Sequence, residues 1–224
     1  LGWPVAGNSH RPLLTALDEY GPAQDLVIEL SSFQLWHLRR AGLTAPADLA
    51  LLTTLDQDHL DWHADLADYH ASKAHLLSQA GAVFAGPSAR RRFPALPAPL
   101  VPLVQGAFID QAHGAALALL ADLPRPGPAW QLAAQLALAA ARHFGAPVAS
   151  LPERLRRAPV LPHRQQLVPG VAPWRYVDDS CATTPLAVAA ALAALPGPRV
   201  LLAGGHDKGG DWQPVLAELR RSST

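Results

Sequence analysis

The chain has 224 residues, half of them hydrophobic, with 18 basic and 18 acidic side chains and no net charge. That composition supports a sizeable core and excludes a mostly disordered chain. The balanced charge argues against a nucleic-acid or membrane-surface partner, because both select a basic footprint. One cysteine excludes an internal disulfide framework and a multi-cysteine zinc knuckle. No apolar run reaches the roughly 20 residues of a membrane-spanning helix, and no basic-then-apolar leader opens the chain, so the cytoplasm is the expected compartment. Methionine is absent and the first residue is Leu1, which predicts a processed chain or a piece of a longer one. At roughly 150 residues per domain, one or two domains are expected.

In chain order, Asp25–Leu30 reads as a short buried strand and Phe33–Ala41 as a helix. Leu49–Leu55 reads as a second buried strand, Asp56–Asp65 as an acidic loop, Leu66–Gln79 as a helix and Gly81–Ala85 as a third strand. Strands alternating with helices predict βαβ units and a parallel sheet. Gly86–Val104, rich in Pro and Arg, reads as irregular. Helices are predicted at Ala112–Ala121 and Trp130–His143, with Gly145 as a C-cap, and a basic turn or short helix at Pro152–Ala158. Arg164–Val168 and Trp174–Val177 flank a proline-bounded turn as a hairpin-like pair. A helix at Pro185–Leu195, a strand at Arg199–Ala203 and a helix at Gln213–Arg220 complete a second α/β region.

Several strand ends carry polar groups, and ligands of open α/β sheets bind at the carboxyl ends of strands. Glu29 closes the first strand among apolar neighbours, where a carboxylate is costly unless paired or bound to a cation. His59 follows the second strand within DQDHLD. A hard cation such as Mg²⁺ suits Glu29 better than His59. Lys73 lies 14 positions after His59 on a predicted helix, and a nearly buried Lys can become reactive. Arg164 offers a rigid fork for phosphate. The small hydroxyls of DDSCATTP suit an anion at a helix N-terminus, although N-capping by Thr183 or Thr184 would also explain them. The glycines around Lys208 let backbone approach a ligand.

Each of these features is weak alone; their order is specific. ELSSFQL (29–35), DHLDWH (58–63) with Lys73 at its fixed distance, LPHR (161–164), DDSCAT (178–183) and GGHDKGGD (204–211) together resemble the Mur ligase family. The resemblance runs from about Val5 to Gln213 and is vague between Gly86 and Trp130. SSFQL and DSxAT resemble the branch that adds D-glutamate. It implies an α/β fold: part of a central parallel-sheet ATPase domain (residues 1–159, without its P-loop) followed by part of a Rossmann-like C-terminal domain (160–224). It implies an ATP-dependent ligase that joins D-glutamate to UDP-N-acetylmuramoyl-L-alanine through an acyl phosphate in peptidoglycan synthesis, as a cytoplasmic monomer.

The resemblance also implies roles. Glu29, His59 and a carbamylated Lys73 would hold Mg²⁺, with His59 and Lys73 catalytic. Asn8, Ser31 and Gln34 would line the UDP-sugar substrate, Arg164 and Asp179 would contact ATP, and Thr183 and Lys208 would hold D-glutamate.

The chain departs from the family's pattern in places. No GxxxxGK[ST] occurs, and nothing else would cradle the β- and γ-phosphates. Cys181 stands where the family carries Lys, Ala129–Ala133 stands where it carries HNxxN, and Ser9-His10 replaces Ile-Gly. The expectation is therefore an active parent protein and an inactive chain as written. The alternative is a non-catalytic remnant or binding module. A zinc hydrolase built on Asp58, His59, Asp61, His63 and His70 explains none of the other motifs.

Overall fold

The structure is a computed structural model and describes residues 2–8, 11–96, 103–110, 115–125, 127–206 and 210–221. It divides into two compact units. The described residues up to Ala50 together with His59–Val83 form the first, and Leu51–Asp58 with the described residues from Phe84 onward form the second.

The first unit opens with β1 (Val5–Gly7), α1 (Leu13–Tyr20) and β2 (Val27–Glu29). β1 and β2 pair in parallel, with Val5 opposite Val27 and Gly7 opposite Glu29, the arrangement a helical crossover permits. Gly7 has φ +115°, and a Cβ there would collide with the Glu29 carbonyl oxygen, so only glycine allows these strand ends to close up. β2 is not the buried strand its apolar run predicts: Val27 and Ile28 are 48% and 44% exposed. The strand pairs with β1 in a sheet of two.

α2 (Ser32–Arg40) starts in a capping box. The Ser31 hydroxyl accepts the Gln34 N–H at 3.2 Å and the Gln34 side-chain oxygen accepts the Ser31 N–H at 2.9 Å, which satisfies two donors that a helix start leaves orphaned. β3 (Ala47–Leu52), α3 (Leu66–Leu77) and β4 (Ala80–Ala85) follow. Asp65 caps α3 by accepting the Asp68 N–H at 2.7 Å. α2 and α3 pack together, with Leu35 and Tyr69 buried. β3 pairs with β4. Gly81 lies against Asp48, and the Gly86 N–H reaches the Leu52 carbonyl at 2.8 Å, so the two strands run the same way.

In the second unit, Pro87–Arg92 is a short helix, α4, inside the stretch expected to be irregular; Pro87 stands in its first turn, the position proline tolerates best. β5 (Leu103–Val104), β6 (Ala107–Asp110) and β7 (Ala115–Leu119) form an antiparallel meander. β7 replaces half of the helix expected at Ala112–Ala121, whose first three residues lie outside the described residues. The helix preference of Ala and Leu is worth at most a few tenths of a kcal/mol per residue. Here it yields to the ladder with β6 and to burial of Leu117, Ala118 and Phe108. Residues 120–122 close the strand as a 3₁₀ turn.

α5 (Pro128–His143) buries Ala134, Leu136, Leu138 and Ala139 and ends at Phe144, with Gly145 at φ +73° just beyond, as a helix stop requires. α6 (Leu151–Arg156) is the expected short basic helix. β8 (Gln166–Val168) and β9 (Tyr176–Asp178) form the expected antiparallel pair. α7 (Pro185–Ala194) is capped by Thr184, whose hydroxyl accepts the Ala187 N–H at 3.3 Å. α8 (Gln213–Arg221) packs on α7 around Ala189, Leu192 and Val215. The strand expected at Arg199–Ala203 joins no ladder. Leu201 packs toward α7 and α8, while Val200 and Leu202 are 78% and 93% exposed. The alternation is that of a strand, and the described residues supply it no partner. No helix among them is long and apolar enough to cross a membrane.

Candidate active site

In the first unit, β1 and β2 deliver two of the expected residues to one place. Asn8 follows β1 directly and Glu29 ends β2. The Asn8 N–H reaches the Glu29 carbonyl at 2.8 Å, and the Asn8 side-chain amide donates to the Glu29 carboxylate at 3.2 Å. Both sit at the carboxyl ends of paired parallel strands, the ligand edge of an open α/β sheet. The Glu29 residue is exposed. Ser31 and Gln34 come next, joined to each other by the capping box and half-buried.

His59 occupies a left-handed turn, φ 55°. Its carbonyl accepts the N–H groups of Trp62 and His63 at 3.1 and 2.9 Å. Its ring lies edge-on to Phe33, centroids 4.8 Å apart, and Phe33 stands on α2 between Ser31 and Gln34. Lys73 is half-buried on α3.

Behind these residues lies a hub that sequence reasoning did not find. The Asp68 carboxylate accepts from the Trp36 indole N–H at 3.0 Å, pairs with Arg39, and lies 3.3 Å from His63 Nδ1. His63 Nε2 is 3.0 Å from the Ser32 hydroxyl. Burial pushes the Asp68 carboxyl up, but hydrogen bonds from His63 and Arg39 and the charge of Arg39 outweigh it and hold the group below its ordinary range. No sequence signal singled out Asp68, which lies inside the helix expected at Leu66–Gln79.

Both nitrogens of His63 are engaged with protein groups, which removes it from any zinc set. Among the described residues no group of three or more His, Cys, Asp or Glu side chains could hold a metal ion.

In the second unit, the LPHR turn and the segment after β9 are laced together. The Gln165 N–H donates to Asp179 at 3.0 Å, the Cys181 N–H reaches the His163 carbonyl at 3.2 Å, and His163 Nδ1 lies 2.7 Å from the Asp178 carboxylate. His163 and Gln165 have φ of 59° and 46°, so this loop alternates left-handed residues around Arg164. Burial pushes the Asp179 carboxyl up, against the Gln165 N–H and the charge of Arg164. Asp178 is pulled down to about 2, chiefly by its hydrogen bond with His163 and then by Ser180. Arg164 and Thr183 are exposed, and Thr183 precedes the true cap, Thr184. Cys181 is exposed. Lys208 lies outside the described residues, as do Ser9 and His10.

The family described as the Mur ligase middle domain matches residues 10–85, which hold Glu29, His59 and Lys73. The UDP-N-acetylmuramoylalanine–D-glutamate ligase of Rubrobacter xylanophilus is 37% identical over 96% of this chain and 51% of its own length. The ligase of the same name from Mycobacterium tuberculosis is 37% identical over 96% of this chain and 45% of its own. The UDP-N-acetylmuramoyl-L-alanine–L-glutamate ligase of Xanthomonas euvesicatoria is 34% identical over 98% and 49%. The chain thus spans about half the length of the curated relatives it matches. The crystal structure of MurF from Acinetobacter baumannii superposes with a TM-score of 0.54 over 88% of this chain and 55% of that one, at 12% identity. The α/β fold expected from the motifs is therefore that of a Mur ligase.

Proposed function

We propose that the protein carrying this chain is an ATP-dependent Mur ligase that joins D-glutamate to UDP-N-acetylmuramoyl-L-alanine in peptidoglycan synthesis. The observation that carries this reading is the Asn8–Glu29 contact at the ends of parallel strands, next to a segment matching the Mur ligase middle domain. The choice of D-glutamate follows SSFQL and DSxAT and the names of the Rubrobacter and Mycobacterium relatives. The Xanthomonas relative, named for L-glutamate, makes stereochemistry the feature to test.

In this reading ATP phosphorylates the alanine carboxylate and the glutamate amine displaces phosphate. Asn8, Ser31 and Gln34 line the UDP-sugar. Arg164 and Asp179 contact ATP; Thr183 and Lys208 hold glutamate. Mg²⁺ usually takes one or two carboxylates plus substrate phosphates and keeps several waters, rather than filling an all-protein cage. The exposed Glu29 carboxylate fits that donor set, with His59 and a carbamylated Lys73 completing it. The ion would neutralise charge on the transferring phosphoryl group. We place residues 1–159 in the central domain and 160–224 in the C-terminal domain of a cytoplasmic monomer without nucleic-acid or membrane partners.

The test is phosphate release by the full-length gene product with ATP, Mg²⁺, UDP-N-acetylmuramoyl-L-alanine and each glutamate enantiomer. Release with D-glutamate and not L-glutamate is expected; release with L-glutamate alone would reassign the substrate. Cys181 and Ala129–Ala133, at positions where the family carries Lys and HNxxN, favour a second reading, a non-catalytic binding module. Failure of the full-length product to bind ATP would select it.

A further inference from the structure

The ring of His63, in the first unit, is fully buried. Phe33 stacks parallel to it at 5.9 Å, and Trp62 and Tyr69 meet it edge-on at 4.8 and 5.3 Å. Asp68, held ionised by its partners, can only accept hydrogen bonds. The hydrogen of a neutral His63 ring must therefore sit on Nδ1 and point at Asp68. Nε2 is then an acceptor, and the Ser32 hydroxyl donates to it. The order Ser32, His63, Asp68 is that of a hydrolase triad. Ser32 and His63, however, are only 2% and 3% exposed, so no substrate reaches the hydroxyl and a nucleophilic role is excluded.

What the ring joins is more informative. Ser32 is the first residue of α2, flanked by Ser31 and two positions before Gln34. Asp68 stands in the first turn of α3, the helix that carries Lys73. The backbone N–H of His63 itself holds the His59 carbonyl at 2.9 Å. One residue thus ties together the three segments that bear Ser31 and Gln34, His59, and Lys73.

We infer that His63 is a positioning residue, whose Nδ1–H tautomer fixes the α2 start, the His59 turn and α3 in one arrangement for the UDP-sugar and metal side of the site. The inference rests on the ligase reading for its kinetic consequence but not for its geometry. His63→Phe keeps the aromatic bulk and removes both hydrogen bonds. His63→Asn keeps an N–H near the Nδ1 position and so restores the Asp68 link.

In the full-length gene product, His63→Phe should lower kcat/KM for the UDP-sugar about tenfold, the effect of one lost hydrogen bond's worth of orientation. The KM for ATP should stay within about twofold, and His63→Asn should recover most of the loss. Unchanged UDP-sugar kinetics would overturn the inference. So would a fall in every parameter together with thermal stability, which is what a purely structural role predicts. If the wild-type protein releases no phosphate, the ligase reading fails by itself, and nitrogen-15 NMR decides the inference separately. The expected spectrum shows His63 protonated at Nδ1 alone, and a Lys73 side-chain resonance displaced by His63→Phe and restored by His63→Asn. An Nε2–H tautomer or an unmoved Lys73 resonance would overturn it.

Discussion

Each unit of the molecule contains a histidine–aspartate pair, and the two pairs are built oppositely. His63 and Asp68 lie 3.3 Å apart with the histidine ring fully buried. His163 and Asp178 are closer, at 2.7 Å, but 59% and 31% exposed. Bond length alone would rank the second pair as the stronger. Burial reverses the ranking. Water competes for and screens the exposed pair, whereas the enclosed imidazole has only Asp68 and Ser32 to satisfy it, and losing either leaves a buried polar group stranded.

The largest effect is expected from Asp68→Ala, which removes the acceptor shared by Trp36, Arg39 and His63. A loss of about 3 kcal/mol is expected, near the lower end for breaking a buried charged network because Asp68 keeps some exposure. Urea unfolding would measure it, and a loss below about 1 kcal/mol, the scale of one ordinary hydrogen bond, would put the buried pair on a level with the exposed one. Ser31→Ala should cost about 1 kcal/mol through the lost N-cap, a midpoint shift with unchanged slope.

His163→Ala should leave the urea midpoint almost unmoved at physiological salt and change it more at low ionic strength. A salt-independent loss as large as that of Asp68→Ala would erase the contrast between the two pairs.

The smallest effects separate Asp178 from its neighbour. The Asp178 pKa falls from 3.8 to about 2 in the folded chain. Its stabilising contribution is therefore complete above the unfolded value and disappears as pH drops through about 2. Asp178→Asn should be less stable than wild type at neutral pH and converge with it in strong acid. Asp179 shifts upward, so its protonated form favours folding and stability declines as pH rises past the ordinary carboxylate range. Asp179→Asn, which can still accept the Gln165 N–H, should gain on wild type over that window. Parallel pH profiles for the two variants would contradict the opposed environments.

The sequence was most informative where a local rule decides the outcome. The Gly145 stop after α5, the proline-led start of α7 and the hairpin around Pro169–Pro173 all follow from side chains acting within a few positions. The helix expected at Ala112–Ala121 failed because Ala and Leu prefer helix only weakly and β6 offered a ladder. Arg199–Ala203 has strand alternation, but a strand also needs a neighbour. Glu29 was legible as a strand-end residue and Asn8 only through the family resemblance; neither disclosed the hydrogen bond between them. The Asp68 hub was invisible because its members sit at positions 32, 36, 39, 63 and 68 and meet only when α2 packs on α3. No periodicity announces a contact set by the docking of two helices.

Gly7 has a consequence of a different kind. Its missing side chain lets the backbones of β1 and β2 touch where Asn8 meets Glu29. The reach of the Asn8–Glu29 pair is thus governed by an atom that is not there. Gly7→Ala would act as a wedge, prising the two strand tips apart while leaving the packed helices of the unit in place. Binding at this edge and the integrity of the fold would come uncoupled at a residue that bears no functional group.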